Sequence, residues 1–93
     1  MIPFMLMMTD PAELIERART LRLHAKEARR RPHIILRLAV GESISALNLE
    51  DAAFLMEVAR VAEAIPHENF HPEGIARQLE AEACALENFG TSN

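Results

Sequence analysis

The sequence predicts an all-α fold, a small compact bundle of about four helices. The chain has 93 residues, of which 49% are hydrophobic but only 4% are aromatic, with neither Trp nor Tyr. Leu, Ile, Val, Met and Ala must therefore build the core, and Leu and Ala in particular lose little on entering a helix. Only three Gly are present, and β-branched residues never form alternating runs, which argues against hairpins. The length suits one domain.

Start and stop signals divide the chain into four predicted helices, at residues 11–31, 33–40, 49–65 and 72–89. Asp10 and Asn48 can cap the first and third, because their short side-chain oxygens accept hydrogen bonds from free first-turn N–H groups. Pro66 ends the third helix and Gly90 ends the fourth. Because the third helix is apolar on more than one face, we expect it to be the central helix.

The run from His33 to Val40 is almost wholly apolar and fits either a buried strand or a short buried helix. Pro32 suits the first turn of a helix, and Gly41 suits a left-handed stop at its end. These flanking residues favour the helix.

A single helical domain, residues 9–90, contains all four predicted helices. Residues 1–8 are apolar but too short to span a membrane, and they lack the basic start of a secretory signal. We interpret them as a disordered or swapped extension, and residues 91–93 as a frayed tail. The one cysteine, Cys84, excludes an internal disulfide framework and predicts a cytoplasmic protein without membrane attachment.

Charge is divided unevenly along the chain. Residues 1–41 hold eight Lys or Arg against four Asp or Glu, whereas residues 42–93 hold two against ten. On one flank of the first helix, basic residues recur at helical spacing: Arg19, Arg22, Lys26, Arg29 and Arg30. We predict that this flank binds an acidic surface of another protein. Nucleic-acid phosphate is one alternative, and charge balance within the chain or between two copies is another.

The first helix also carries a narrow Leu/Ala stripe, formed by Leu14, Ala18, Leu21, Ala25 and Ala28. Small Ala side chains let another helix approach closely, either within the chain or from a second copy. Leu23 lies on the opposite side, where a monomer would expose it. We predict a homodimer, with an interface formed by Leu14, Ala18, Leu21, Leu23 and Ala25.

The segment from His67 to His71 matches the H-E-x-x-H pattern of zinc proteases. In those enzymes one continuous helix brings both His side chains to the metal. Pro66 and Pro72 flank the segment and disfavour such a helix, and no third ligand stands at a recognisable spacing. A polar connection between helices is the preferred interpretation, with His67 and His71 as candidate ligands of an alternative zinc-binding function.

No signature of catalysis is recognisable. The chain lacks a Gly-rich phosphate loop and a Ser/His/Asp arrangement, so we predict neither an enzyme nor a bound cofactor. Cys84 has no basic neighbour one turn away and is interpreted as a packing residue. The sequence favours a non-catalytic helical interaction module, a regulator, inhibitor or adaptor that binds a larger protein. A nucleic-acid-binding regulator and a zinc-binding protein are the alternatives.

Overall fold

The computed structural model describes residues 10–46 and 48–91, which form four α-helices and one short 3-10 turn. The helices are α1 Pro11–Arg30, α2 Pro32–Ala39, α3 Leu49–Ala64 and α4 Pro72–Thr91. No strand occurs among the described residues, so the predicted all-α bundle is confirmed, including a helix at 33–40. The extension predicted for residues 1–8 and the last two residues of the predicted tail lie outside the described residues.

The predicted capping residues stand at the starts of α1 and α3. Asp10 accepts a hydrogen bond from the backbone N–H of Ala12 at 2.9 Å. Asn48 accepts one from the backbone N–H of Asp51 at 2.8 Å. Each side chain thus satisfies a donor that the first turn of a helix leaves free.

The two glycines predicted to end helices behave differently. Gly41 has a φ of +88°, the left-handed conformation that closes α2 as predicted. At the other position, α4 continues through Gly90 to Thr91, so this glycine does not end the helix.

The core is built on α1 and α4, which share the most extensive contact between helices. The Leu/Ala stripe of α1 is buried, with at most 2% exposure for Leu14, Ala18, Leu21, Ala25 and Ala28. All of these except Leu14 belong to the core that α1 shares with α4. The facing stripe of α4 consists of Ile75, Ala76, Leu79 and Ala83. Small side chains on both helices allow their backbones to approach closely. Ile34 and Ile35 of α2 cover part of the same core.

α3 is not the central helix that its apolar composition predicts. It buries Phe54, Val58 and Val61 on one face, whereas Met56 on another face is 73% exposed. Few of its residues contact α1 or α4. The helices at the centre are α1 and α4 instead, since their complementary stripes pack along most of their length.

Cys84 does not pack in the core as predicted but is exposed on α4. The buried stripe of α4 passes through Ala83, and one further residue turns the helix by 100°. The thiol therefore points to the solvent side of α4.

The connection between α3 and α4 is a 3-10 turn, His67–Asn69, that packs against the first turn of α4. A Cβ on Gly74 would lie 1.9 Å from the backbone oxygen of Asn69, far inside contact distance. His71 strengthens the junction, because its Nδ1 accepts a hydrogen bond from the N–H of Gly74 at 3.1 Å. Gly74 thus allows the turn to close against the helix.

Replacing Gly74 with Ala tests this junction. Helix propensity alone would make the variant more stable by about 1 kcal/mol. Because the added methyl group must displace the backbone of Asn69, we expect instead a loss of about 1–3 kcal/mol in the free energy of unfolding. Urea unfolding gives the sign, and a more stable Gly74→Ala variant would contradict the close approach.

Candidate interaction surface

Most of the basic flank of α1 is neutralised within the chain. Arg22 forms a two-pronged ion pair with Glu87, with N to O distances of 2.7 and 2.6 Å. Arg29 binds both Glu73 and Glu80. Hydrogen bonds from Arg29 and a second arginine lower the pKa of Glu73 to about 2. Later residues of α1 pair with earlier residues of α4, so the two helices run antiparallel. The arginines of α1 are thereby neutralised by glutamates of α4.

Arg19 and Lys26 are the members of the basic flank that are least engaged in ion pairs with described residues. Arg30 is held by Glu27 of its own helix at 2.7 Å. Arg19 lies 3.6 Å from Glu16, and the two side chains are 67% and 66% exposed. An exposed pair of this kind contributes little to stability. Lys26 makes no ion pair with any described residue.

The residues predicted for the dimer interface separate into two groups. Leu14, Ala18, Leu21 and Ala25 are buried inside their own chain. Each is at most 2% exposed, so these four side chains leave almost no surface for a second copy in this fold. Leu23 is 57% exposed and remains at the surface.

An open groove separates α1 from α3. Its larger section, about 710 Å³, is lined by the second half of α1 and by the start of α3 from Asn48 to Phe54. A second section, about 410 Å³, shares His24 and Ala53 with the first and reaches Arg17 and Arg60. Early positions of α1 face late positions of α3, so the two helices run antiparallel along the groove.

Exposed apolar side chains stand on both lips of the groove. Leu23 occupies the α1 lip. On α3, Leu49, Ala53 and Met56 follow one another at spacings of four and three, which places them on one stripe. Leu49 is 88% exposed and Met56 is 73% exposed. Single exposed apolar residues are ordinary, but two large ones, Leu23 and Met56, line this groove and form a candidate docking surface. Leu49 continues the α3 stripe beyond the residues that line the groove.

The floor of the groove carries a buried carboxylate, Glu57, which is 6% exposed. Its Oε2 accepts hydrogen bonds from Arg17 at 3.0 Å and from Arg60 at 2.6 Å. Burial raises the pKa of Glu57, but these two arginines lower it by more, so the net pKa lies below its usual value. His24 Nδ1 is buried 3.5 Å from Glu57 Oε1 and has no hydrogen-bond partner among the described residues. Glu57 therefore joins α1 to α3 through charge.

The sequence patterns do not single out Glu57 or Arg31, although both connect helices. Glu57 stands three residues after Phe54 and four before Val61, so helical spacing is the signal that places it on the buried face. Arg31 reaches Asp51 at 2.9 Å and lies 5.8 Å from the centre of the Phe54 ring. No local spacing rule could find that pair, because its members are 20 positions apart.

The segment from His67 to His71 does not form one helix carrying both imidazoles. It begins with the 3-10 turn, and the Nδ1 of His71 is engaged in capping α4. In the part of the chain that the structure describes, no group of three or more His, Cys, Asp or Glu side chains is placed to hold a metal ion. The segment serves here as the connection between α3 and α4.

The groove between α1 and α3, with the exposed apolar side chains beside it, is the candidate functional surface. No family model, curated protein or solved structure matches this chain. Across residues 10–46 and 48–91, no helix has the length and apolar character needed to cross a membrane.

We expect Glu57→Gln to lower the free energy of unfolding at pH 7 by about 1–3 kcal/mol, because the two arginines lose a charged acceptor. The folded pKa of Glu57 lies below its unfolded value. Its stabilising contribution is therefore complete above the unfolded pKa of about 4.3 and disappears as the pH falls through the folded pKa. The variant should accordingly lose less stability than the wild type on acidification. Urea unfolding at neutral and acidic pH measures both effects.

Glu63→Gln is the matched control, since Glu63 lies exposed on the same helix and makes no ion pair with a described residue. It should behave like the wild type at both pH values. An acid response of Glu57→Gln equal to that of the wild type would show that the carboxylate is not held ionised by Arg17 and Arg60.

Proposed function

We propose that this protein is a non-catalytic interaction module that receives a helix of a protein partner in the groove between α1 and α3. The exposed apolar residues that line it, Leu23 and Met56, carry the proposal. The groove follows the chain from Arg17 to Arg31, roughly 20 Å at the rise of an α-helix, which accommodates about four turns of a docked helix. We expect the protein to act in the cytoplasm as a regulator, inhibitor or adaptor.

The length and the apolar sides of the groove support a helical occupant. A helix that docks in a groove presents apolar anchors at every third or fourth position of its own sequence. Such a stripe would contact Leu23 on α1 and Ala53 and Met56 on α3, which line the groove. An apolar stripe lying between the lips would cover side chains that water now contacts.

The charges on α1 favour an occupant that carries acidic groups. Lys26 makes no ion pair with a described residue, and Arg19 has only a long, exposed contact with Glu16. A carboxylate of the partner can pair with Lys26 without displacing an existing partner. Such contacts add direction and association rate more than affinity.

A nucleic-acid surface is the alternative, and the internal ion pairs weigh against it. Binding to phosphates depends on Lys and Arg side chains that displace the small counterions condensed on the nucleic acid. Arg22 and Arg29, which would contribute to such a surface, already face carboxylates of α4.

A smaller depression of about 320 Å³ on α3 is lined only by apolar residues, Leu38, Ile44, Leu55, Val58, Ala59, Ala62 and Phe70. Its large side chains are buried or half-buried against the core. Because docking there would cover less exposed apolar surface, the groove between α1 and α3 is the better site.

Leu23→Glu and Met56→Glu should each abolish capture of the partner, because a carboxylate on either lip would be buried without a counter-charge. Leu36→Glu is the control, since Leu36 is 52% exposed on α2, outside the groove lining. Affinity capture from native cells with mass spectrometry compares the three variants with the wild type. A partner that all variants retain equally would exclude the groove, and capture of nucleic acid lost steeply with salt would favour the alternative.

A further inference from the structure

We infer that the occupant of this groove is a second copy of the chain, related to the first by a two-fold axis that runs along the groove. The inference rests on the proposed function, because it names the partner of the same surface. It follows from the complementary apolar residues and charges that α1 and α3 present on the two sides of the groove.

A two-fold axis along the groove places α1 of each copy over α3 of the other. Rotation by 180° about this line exchanges the two lips but leaves the height along the groove unchanged. Side chains that face each other across the groove within one chain therefore meet between chains. Such a contact is closed, since two copies cover each other's surface completely and a third cannot add to it.

The apolar residues of the lips match in this register. Thr20 and Met56 line one section of the groove, and Leu23 and Ala53 line the other. Because α1 and α3 are antiparallel, three residues forward on α1 correspond to three residues back on α3. The contacts of Arg17 with Glu57 and of His24 with Phe54 place both pairs within about one helical turn of the same level. In the two-fold arrangement, Leu23 of each copy lies over the small Ala53 of the other, beside Met56.

The charges match in the same register. One further step of three residues on each helix brings Lys26 opposite Glu50, and both line the larger section of the groove. Neither forms an ion pair with a described residue. Nearby, Arg30 and Arg31 are already paired with Glu27 of their own chain. The dimer contains the contact between Lys26 and the partner's Glu50 twice.

This pairing is what favours a second copy over an unrelated helix. An apolar stripe on any protein can cover Leu23 and Met56. Lys26 on one side of the groove and Glu50 on the other have no ion-pair partner among the described residues. An occupant that pairs with both must carry those charges in the reverse order. The same chain, rotated about the groove, presents that order.

Charge reversal with complementation tests the contact. Lys26→Glu alone gives two repulsive acidic pairs per dimer, and Glu50→Lys alone gives two repulsive basic pairs. We expect each variant by itself to dissociate at least roughly tenfold more readily than the wild type. In an equimolar mixture of the two variants both contacts again join opposite charges, so a mixed dimer should form with affinity close to that of the wild type. Sedimentation equilibrium of the full chains measures all three samples.

The controls separate this contact from general charge effects. Glu63→Lys changes an exposed acidic residue of α3 that does not line the groove, and it should leave dimerisation unchanged. Circular dichroism establishes that each variant is folded. Removal of residues 1–7 should also leave the dissociation constant unchanged, and loss of association on their removal would assign the groove to that segment and overturn the inference.

Two further results would overturn it. Equal dissociation of the two variants alone and mixed would exclude the two-fold register. Sedimentation of the wild type as a monomer at about 100 µM would exclude the dimer, because a dissociation constant of about 10 µM would already give mostly dimer at that concentration. If Leu23→Glu still abolished capture of another protein in that case, the proposed function would stand without the second copy.

Discussion

The pairing of α1 with α4 is the interaction on which the rest of the fold depends. Alanines within the contact let the two backbones approach, and the ion pairs made by Arg22 and Arg29 border it. This contact uses most of the apolar stripe of α1, from Ala18 to Ala28. α3 joins the same apolar core through Phe54, Val58 and Val61, and charged side chains add a direct connection between α3 and α1.

The charged connection lies along the groove. Glu57 of α3 is joined to Arg17 of α1 and to Arg60 of its own helix, and all three residues line the groove. The carboxylate is buried, but the side chains of Arg17 and Arg60 are 38% and 44% exposed. Their guanidinium groups remain partly hydrated, which reduces the free-energy cost of burying the ion pair. The polar connection and the groove therefore occupy the same side of the contact between α1 and α3.

The parts of the fold that could be predicted from the sequence are those set by neighbouring residues. Asp10, Asn48 and Pro32 act within one turn of their own positions, and the predicted helix bounds agree with the structure to within two residues. The partner of the Leu/Ala stripe could not be predicted, because periodicity shows that a face is buried without showing what buries it. The surplus of basic residues in the first part of the chain likewise does not show which acidic residues they pair with. Arg22 and Glu87, for example, are 65 positions apart.

The candidate surface was accessible to sequence analysis only in part. Leu23 stands out because it lies opposite the buried stripe of its helix. Met56 was expected to belong to a central helix, and its exposure follows from the position of α3 at the side of the bundle. Whether an apolar residue lines a surface or a core depends on which helix occupies the centre, and that choice is made by contacts between distant segments.

The pairing of the first helix with the fourth also determines when the protein can fold. During synthesis α1 emerges early, but the surface that covers its apolar stripe is supplied by the 20 residues of α4, which follow all other described elements. In proteins most of the stability of a helix comes from tertiary packing of its apolar face. The nascent chain therefore exposes the stripe until α4 has left the ribosome, and folding has to begin with contacts between segments far apart in sequence, which is slow for a helical protein of this size.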